Sequence, residues 1–189
     1  MNKLNIGFAL CGSFCTFSRV LPVMKELAEN HNVIPIMSFN AYSTDTRFGK
    51  AEDFTREIEE ICQREIIHSL FSAEPIGPKK LLDALIIEPC TGNTLAKLAC
   101  GIADTPVTLA AKSHLRNARP LLIAVSTNDA LSGAAKNIGT LLNCKNIYFV
   151  PYSQDDSENK PTSMVAHFEK TAEALHAALN GKQLQPIII

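Results

Sequence analysis

The sequence predicts an α/β fold in three layers, a doubly wound parallel sheet with helices on both faces, on three observations. Short β-type runs alternate with helical stretches along the chain. Two of the runs, Ala84–Glu88 and Pro120–Val125, are continuously apolar, as strands buried on both faces are. Loops rich in Gly, Ser and Thr follow several runs and lead into helical periodicity.

Taken in order, Leu4–Leu10 is an apolar strand that turns at Cys11-Gly12-Ser13. Ser18–Asn30 is a helix, with Val20, Val23, Met24, Leu27 and Ala28 on one face. Pro22 belongs near its first turn, where a missing N–H costs least. Val33–Ser38 is the second strand, and Phe39–Lys50 a polar loop. Ala51–Arg64 is a charged helix with Phe54, Ile58, Ile61 and Cys62 on its apolar side, and Glu65–Leu70 reads as a short strand. After the turn Pro75–Pro78 comes the strand Ala84–Glu88, then a helix Asn93–Gly101 closed by its glycine. Thr105-Pro106 is a cap with proline in the first helical position, opening a helix to about Asn117. Pro120–Val125 and Ile147–Pro151 are the last strands, with a helix Leu131–Asn143 between them. Gln154–Lys160 is a solvated loop, Ser163–Leu179 a long amphipathic helix, and residues 181–189 a C-terminal tail.

The chain has 189 residues, a length that fits one domain with a proper core. A net charge of −1 carries no basic excess of the kind a nucleic-acid binder shows. Met1–Asn5 does not resemble a signal peptide, and Leu4–Ser18 is too short and polar to span a bilayer, so a cytoplasmic protein is expected. In that compartment the six cysteines are reduced thiols, most of them expected to be buried as small hydrophobes. No Cys-x-x-Cys or His-x-x-x-His pair occurs, so no metal site is expected.

In doubly wound sheets, ligands bind at the carboxyl ends of the strands. Here those ends carry Gly12, Ser13 and Phe14; Ser38; Thr91, Gly92, Asn93 and Thr94; and Ser126, Thr127 and Asn128. Hydroxyl donors and backbone N–H groups before helices favour a phosphate, although the same residue types also cap helices and make turns everywhere. There is no Gly-x-Gly-x-x-Gly after the first strand, and no phosphate-binding Gly-x-x-x-x-Gly-Lys-Ser/Thr loop. A dinucleotide and a nucleoside triphosphate are therefore disfavoured, and a mononucleotide such as FMN remains.

The segment Pro89-Cys90-Thr91-Gly92-Asn93-Thr94-Leu95-Ala96-Lys97-Leu98-Ala99, continuing to Gly101-Ile102-Ala103-Asp104, resembles the flavin-lining signature of the FMN-dependent cysteine decarboxylase-like flavoproteins. The turn Gly12-Ser13 matches as well. The resemblance implies a Rossmann-like flavoprotein fold that binds FMN through the turn Gly12–Phe14, Ser38, Thr91–Thr94 and Ser126–Asn128. Two departures stand out. The family's catalytic histidine falls at Pro75, with His68 the nearest histidine, and the loop after the next strand reads Val125-Ser126-Thr127-Asn128, keeping only the asparagine of the family's Pro-Ala-Met-Asn. Both argue against thiol decarboxylation. Thr44–Glu52, Lys145–Pro151, Gln154-Asp155-Asp156 and Gly181–Pro186 resemble a branch of the family that works as one component of a two-component oxidoreductase.

That branch implies a dicarboxylate substrate and a second component of dinucleotide-binding fold carrying NADP. Carboxylates call for cations, and Arg47 and Lys112 are the candidates, the latter on one helix face with Arg116 and near Arg119. Both also fit an ordinary solvated surface. A homo-oligomer, a trimer or a multiple of it, follows from the same resemblance. Two alternatives stay open: a non-catalytic partner that stabilises or tunes the dinucleotide-binding component, and a flavin-dependent decarboxylase. His31, His167 and His176 are expected at the surface, and none of the histidines, His114 included, is expected to act as a base. The apolar end Ile187-Ile188-Ile189 fits docking on a partner or on the chain's own core equally well.

Overall fold

The computed structural model describes residues 3–189. Its strands are β1 (Asn5–Leu10), β2 (Asn32–Met37), β3 (Ala84–Cys90), β4 (Leu121–Thr127), β5 (Ile147–Phe149), β6 (Tyr152–Gln154) and β7 (Met164–Ala166). They form one sheet in the order β2-β1-β3-β4-β7-β6, with β5 also paired to β4. β1 to β5 run parallel, while β7 is antiparallel to both β4 and β6. The sheet is thus mixed, where a purely parallel one was expected.

The helices are α1 (Phe17–Asn30), α2 (Phe39–Ser43), α3 (Ala51–Cys62), α4 (Leu70–Ala73), α5 (Gly92–Ala99), α6 (Pro106–Leu115), α7 (Ala135–Leu142) and α8 (Thr171–Leu179). α1, α3 and α8 form one contacting group and α5, α6 and α7 another, which gives the expected three layers. β3 is buried at every residue, and β4 at all but Thr127. Thr105 caps α6 through a box with Thr108, with Pro106 in the first turn as the sequence predicts.

Several expectations are corrected. Pro22 stands in the second turn of α1 rather than the first. Phe39–Lys50 is not all loop, because the Ser38 hydroxyl accepts from the Ala41 N–H and starts α2. Glu65–Leu70 contributes a single bridge, Ile36 to Ile67, and Ser69 then caps α4. That bridge runs along the outer side of β2, where Ile67 N–H donates to Pro35 O and Met37 N–H to Ile67 O. Pro35 turns its missing N–H to this same side, which reconciles a proline with the strand. Leu131–Asn143 is helical only from Ala135. Ser163–Leu179 is not one helix: Met164–Ala166 is a strand, Phe168–Lys170 a short helical turn, and α8 begins at Thr171.

The tail returns to its own chain. Tyr152 N–H donates to Ile187 O, Ile189 N–H donates to Tyr152 O, and Ile187 packs on the core, while Ile188 and Ile189 remain exposed. Cys11, Cys62 and Cys90 are buried; Cys15, Cys100 and Cys144 are exposed, so only half of the cysteines are the buried hydrophobes expected. Among the described residues, no helix is long and apolar enough to cross a membrane.

One ionisable group is sealed inside. Glu88 on β3 is fully buried and accepts the Thr171 hydroxyl at 2.6 Å, while its Oε1 has no partner among the described residues. Burial pushes its carboxyl up from 4.5 to about 8, opposed by the Thr171 hydrogen bond. The folded state therefore favours the protonated form. Its contribution to stability is complete below pH 4.5 and declines as the pH rises towards about 8. Glu88→Gln keeps an acceptor for Thr171 and removes the charge. Melting curves are expected to agree near pH 5, with the variant more stable at pH 8 by on the order of a few kcal/mol. Parallel pH dependence in the two proteins counts against a neutral buried Glu88.

Candidate functional site

β1, β3 and β4 end on the same edge because they are parallel neighbours, and this brings their polar tips together. Two cavities open there. The larger, of about 520 Å³, is lined by Gly12, Ser13, Phe14, Thr91 and Ser126–Asn128 among others. The smaller, of about 380 Å³, is lined by Ser38, Thr91, Asn93, Thr94, Lys97 and Gly12 among others. Both volumes are in the range of small-molecule sites, roughly 300–1,000 Å³. Gly12 and Thr91 belong to both, so the cavities adjoin across the β1 and β3 tips.

The tips hold one another in place. Ser13 Oγ and Ser126 Oγ share a hydrogen bond of 2.8 Å, tying the β1 loop to β4 across the intervening β3. Thr16 donates to Ser13 O at 2.8 Å and fixes the turn into α1. Thr94 donates to the Cys11 thiol at 3.2 Å. Burial pushes the Cys11 thiol up to about 11 and that of Cys90 well above its ordinary value, so neither is a thiolate nucleophile at neutral pH. Asn128 is held by the β6–β7 hairpin: its carbonyl accepts from Thr162 at 2.6 Å and its side chain accepts from Ser163 at 3.5 Å.

Gly92 lines neither cavity. A Cβ there would lie 2.6 Å from Asp129 Oδ1 and 2.8 Å from Thr127 Oγ1. Its bare backbone leaves room for the Asp129 carboxylate, which accepts from Thr127 at 2.6 Å, beside the first turn of α5. A phosphate is then better served by the smaller cavity, where the Ser38, Thr91 and Thr94 hydroxyls stand with Lys97. Lys97 also pairs with Asp104 at 2.7 Å and holds that carboxyl below its usual range.

The predicted cations fare differently. Arg47 lies on the loop between Thr46 and Phe48, which both line the larger cavity, and its guanidinium stacks 4.8 Å above the Phe48 ring. Lys112 is exposed in the last turn of α6. That helix starts at the cavity residue Thr105 and descends to the opposite edge, where Arg119 donates to the carbonyls of Lys80 and Leu82 ahead of β3. Lys112 thus lines neither cavity. Lys97 is a site residue that sequence reasoning missed, although it lies inside the flavin-lining signature. Arg19, Asp155, Lys160 and Ser163 also line the larger cavity, the last three from the hairpin that the sequence assigned to loop and helix.

The donor set fits a singly phosphorylated mononucleotide: hydroxyls, a lysine and a glycine turn around one cavity, with Phe14 and Phe48 in the wall of the other. The family profile described as Flavoprotein matches residues 1–177. The B subunit of dipicolinate synthase from Bacillus subtilis (strain 168) is 45% identical over 185 residues, covering 97% of this chain and 92% of that protein. The crystal structure of the dipicolinate synthase B subunit from Bacillus halodurans superimposes with a TM-score of 0.91 at 43% identity, covering 100% of this chain and 98% of that one. The FMN-dependent cysteine decarboxylase SpaF shares the fold, with a TM-score of 0.64 at 20% identity over 94% of this chain and 95% of that one.

Gly92→Ala is expected to cost about 1–2 kcal/mol through the displaced Asp129 and Thr127. Gly139→Ala, in α7 with open space around it, is expected to gain about 0.5–1 kcal/mol. Urea denaturation of both variants checks the contrast, and equal gains would remove the close approach at Gly92 as a constraint.

Proposed function

The chain belongs to the Flavoprotein family, and from that footing we propose that it is the FMN-binding B subunit of a dipicolinate synthase, acting with a dinucleotide-binding A subunit in the oxidation of dihydrodipicolinate to dipicolinate during sporulation. The convergence of Gly12, Ser38, Thr91, Thr94 and Lys97 on one cavity beside a second, larger one carries the proposal. The high identity to the B subunit of dipicolinate synthase over nearly the full length supports it.

Bound FMN supplies a two-electron acceptor. This chain's own residues then bind and orient. Ser38, whose hydroxyl accepts from the Ala41 N–H and keeps its proton free, would donate to the phosphate with Lys97 as countercharge, while the Thr91 and Thr94 hydroxyls, committed to Thr94 and to the Cys11 thiol, border the same space. Ser13, Phe14 and Ser126–Asn128 border the space for the ring. The substrate's carboxylates meet Arg19 and Lys160 on the wall of that cavity, with Arg47 on the adjacent loop. Aromatisation of the product ring assists the oxidation, so the loss of a histidine at Pro75 is compatible with it. NADP is assigned to the dinucleotide-binding partner, the assembly to a homo-oligomer of this chain joined to that partner, and the location to the mother-cell cytoplasm of a spore-former.

A second reading keeps the fold and the partner but gives this chain no chemistry. The departures at Pro75 and at Ser126-Thr127 favour it over a flavin-dependent decarboxylase. Two measurements separate the readings. FMN fluorescence is expected to be quenched on titration with the protein, and the combined Ser38→Ala and Lys97→Met changes are expected to weaken binding at least tenfold, since each hydrogen bond to a charged group contributes about 1.5–3 kcal/mol. No quenching by the wild-type protein removes the cofactor. Turnover by the dinucleotide-binding partner is expected to need this chain; full turnover by the partner alone leaves only the non-catalytic reading.

A further inference from the structure

The β6–β7 hairpin carries three side chains in series. Ser153 Oγ lies 2.8 Å from His167 Nε2, and His167 Nδ1 lies 3.1 Å from Glu169 Oε1. The backbone N–H of Glu169 and the His167 ring hold the Glu169 carboxyl below its ordinary range. Glu169 is then a carboxylate that can only accept, so the ring proton is assigned to Nδ1 and Nε2 is left as an acceptor for the Ser153 hydroxyl. A hydroxyl bonded to a base whose other nitrogen is oriented by an acid is the arrangement that activates a serine.

The surrounding structure fixes all three. His167 N–H donates to Pro151 O at 2.8 Å, closing the end of β7 onto the start of β6. Phe168 is buried, with the Arg19 guanidinium 4.9 Å above its ring, and this pins the helical turn that carries Glu169. Ser153 pairs with Val165 in the antiparallel register, so its backbone groups face β7. Those of its neighbours face the other way, since Tyr152 N–H donates outward to Ile187 O. The N–H of Gln154, directly after the serine, is directed to that same outer side, where the tail residues Ile187–Ile189 run along the strand at Tyr152. Ser153 also belongs to the lining of a mainly apolar groove of about 420 Å³, with Leu131, Ile138, Leu142 and Ile188. The serine's side chain shares the face of its register partner Val165, and the groove lies on the other face with Tyr152 and Met164.

We propose that Ser153, His167 and Glu169, none of which lines either strand-edge cavity, form an esterase-type site that takes small carboxylic esters or thioesters. Ser153 Oγ bonds to the carbonyl carbon while its proton passes to His167 Nε2. The bond from that carbon to the leaving oxygen or sulfur breaks, and the leaving group departs with the proton from His167. Water then adds to the acyl-serine by the same relay, giving the free acid and restoring the serine. Ester plus water becomes acid plus alcohol, with no redox partner.

An alkyl fluorophosphonate and p-nitrophenyl butyrate test the site on the full-length protein without FMN. One phosphonyl adduct mapped to Ser153 is expected, together with saturable release of nitrophenol. Ser153→Ala is expected to abolish both. His167→Gln is expected to slow both by at least about 100-fold, with a smaller loss for Glu169→Gln. Melting curves check that each variant folds, and His167→Asn replaces His167→Gln if the latter does not. No adduct on the wild-type protein, an adduct elsewhere, or an unchanged rate without His167 reduces the three residues to a structural hydrogen-bond chain and overturns the proposal.

Discussion

β4 has different neighbours along its length, and the functional features follow from that constraint. Leu121–Ile123 pairs in parallel with β5, while Ser126 and Thr127 pair antiparallel with β7. The first half belongs to the buried core of a doubly wound sheet. The second half carries the sheet beyond β5 and lets a hairpin hang beside the ligand edge. Without that switch of partner, Ser126 would still reach Ser13, but Asp155, Lys160, Ser163 and Val165 would not wall the larger cavity.

The interior is arranged so that polar groups near the edge remain neutral or paired. Cys11 and Cys90 lie under the cavities as neutral thiols, the first receiving the Thr94 hydroxyl. Glu88 sits one residue before Pro89 and two before Cys90, tying β3 to the first residue of α8 through Thr171. The charges that do face solvent near the site are supplied by the elements around the edge: Lys97 on α5, Arg19 on α1, and Lys160 with Asp155, 3.6 Å from each other, on the hairpin loop. A rigid, neutral floor under a charged rim suits a ligand with one anionic end and a flat, uncharged body.

Much of the site was legible because it is built from strand ends. Once β1, β3 and β4 are recognised as parallel neighbours, their following loops must share an edge, and Gly12, Ser13, Thr91, Asn93, Thr94, Ser126 and Thr127 come together for that reason alone. Lys112 lies outside the cavities because a helix face does not say which end of the helix lies near the edge; α6 begins at the cavity and carries Lys112 away from it. The hairpin failed for another reason. Met164-Val165-Ala166 is too short a run to show a period of two, and it stands directly before residues with good helical spacing, so the two merged into one apparent helix. His167 was placed on that helix and so lost its link to Ser153.

By itself the sequence determined the layer order, the continuously apolar central strands, the capped start of α6 where Thr105 precedes it, and the polar tips that crowd one edge. These depend on local periodicity and on residue types, which act over a few neighbours. Only the tertiary structure decided the antiparallel hairpin, the return of the tail to Tyr152, the burial of Glu88 against Thr171, and the alignment of Ser153 with His167 and Glu169. Each of those joins residues far apart in sequence or depends on strand register, and register is set by what pairs across the sheet rather than by what lies next along the chain.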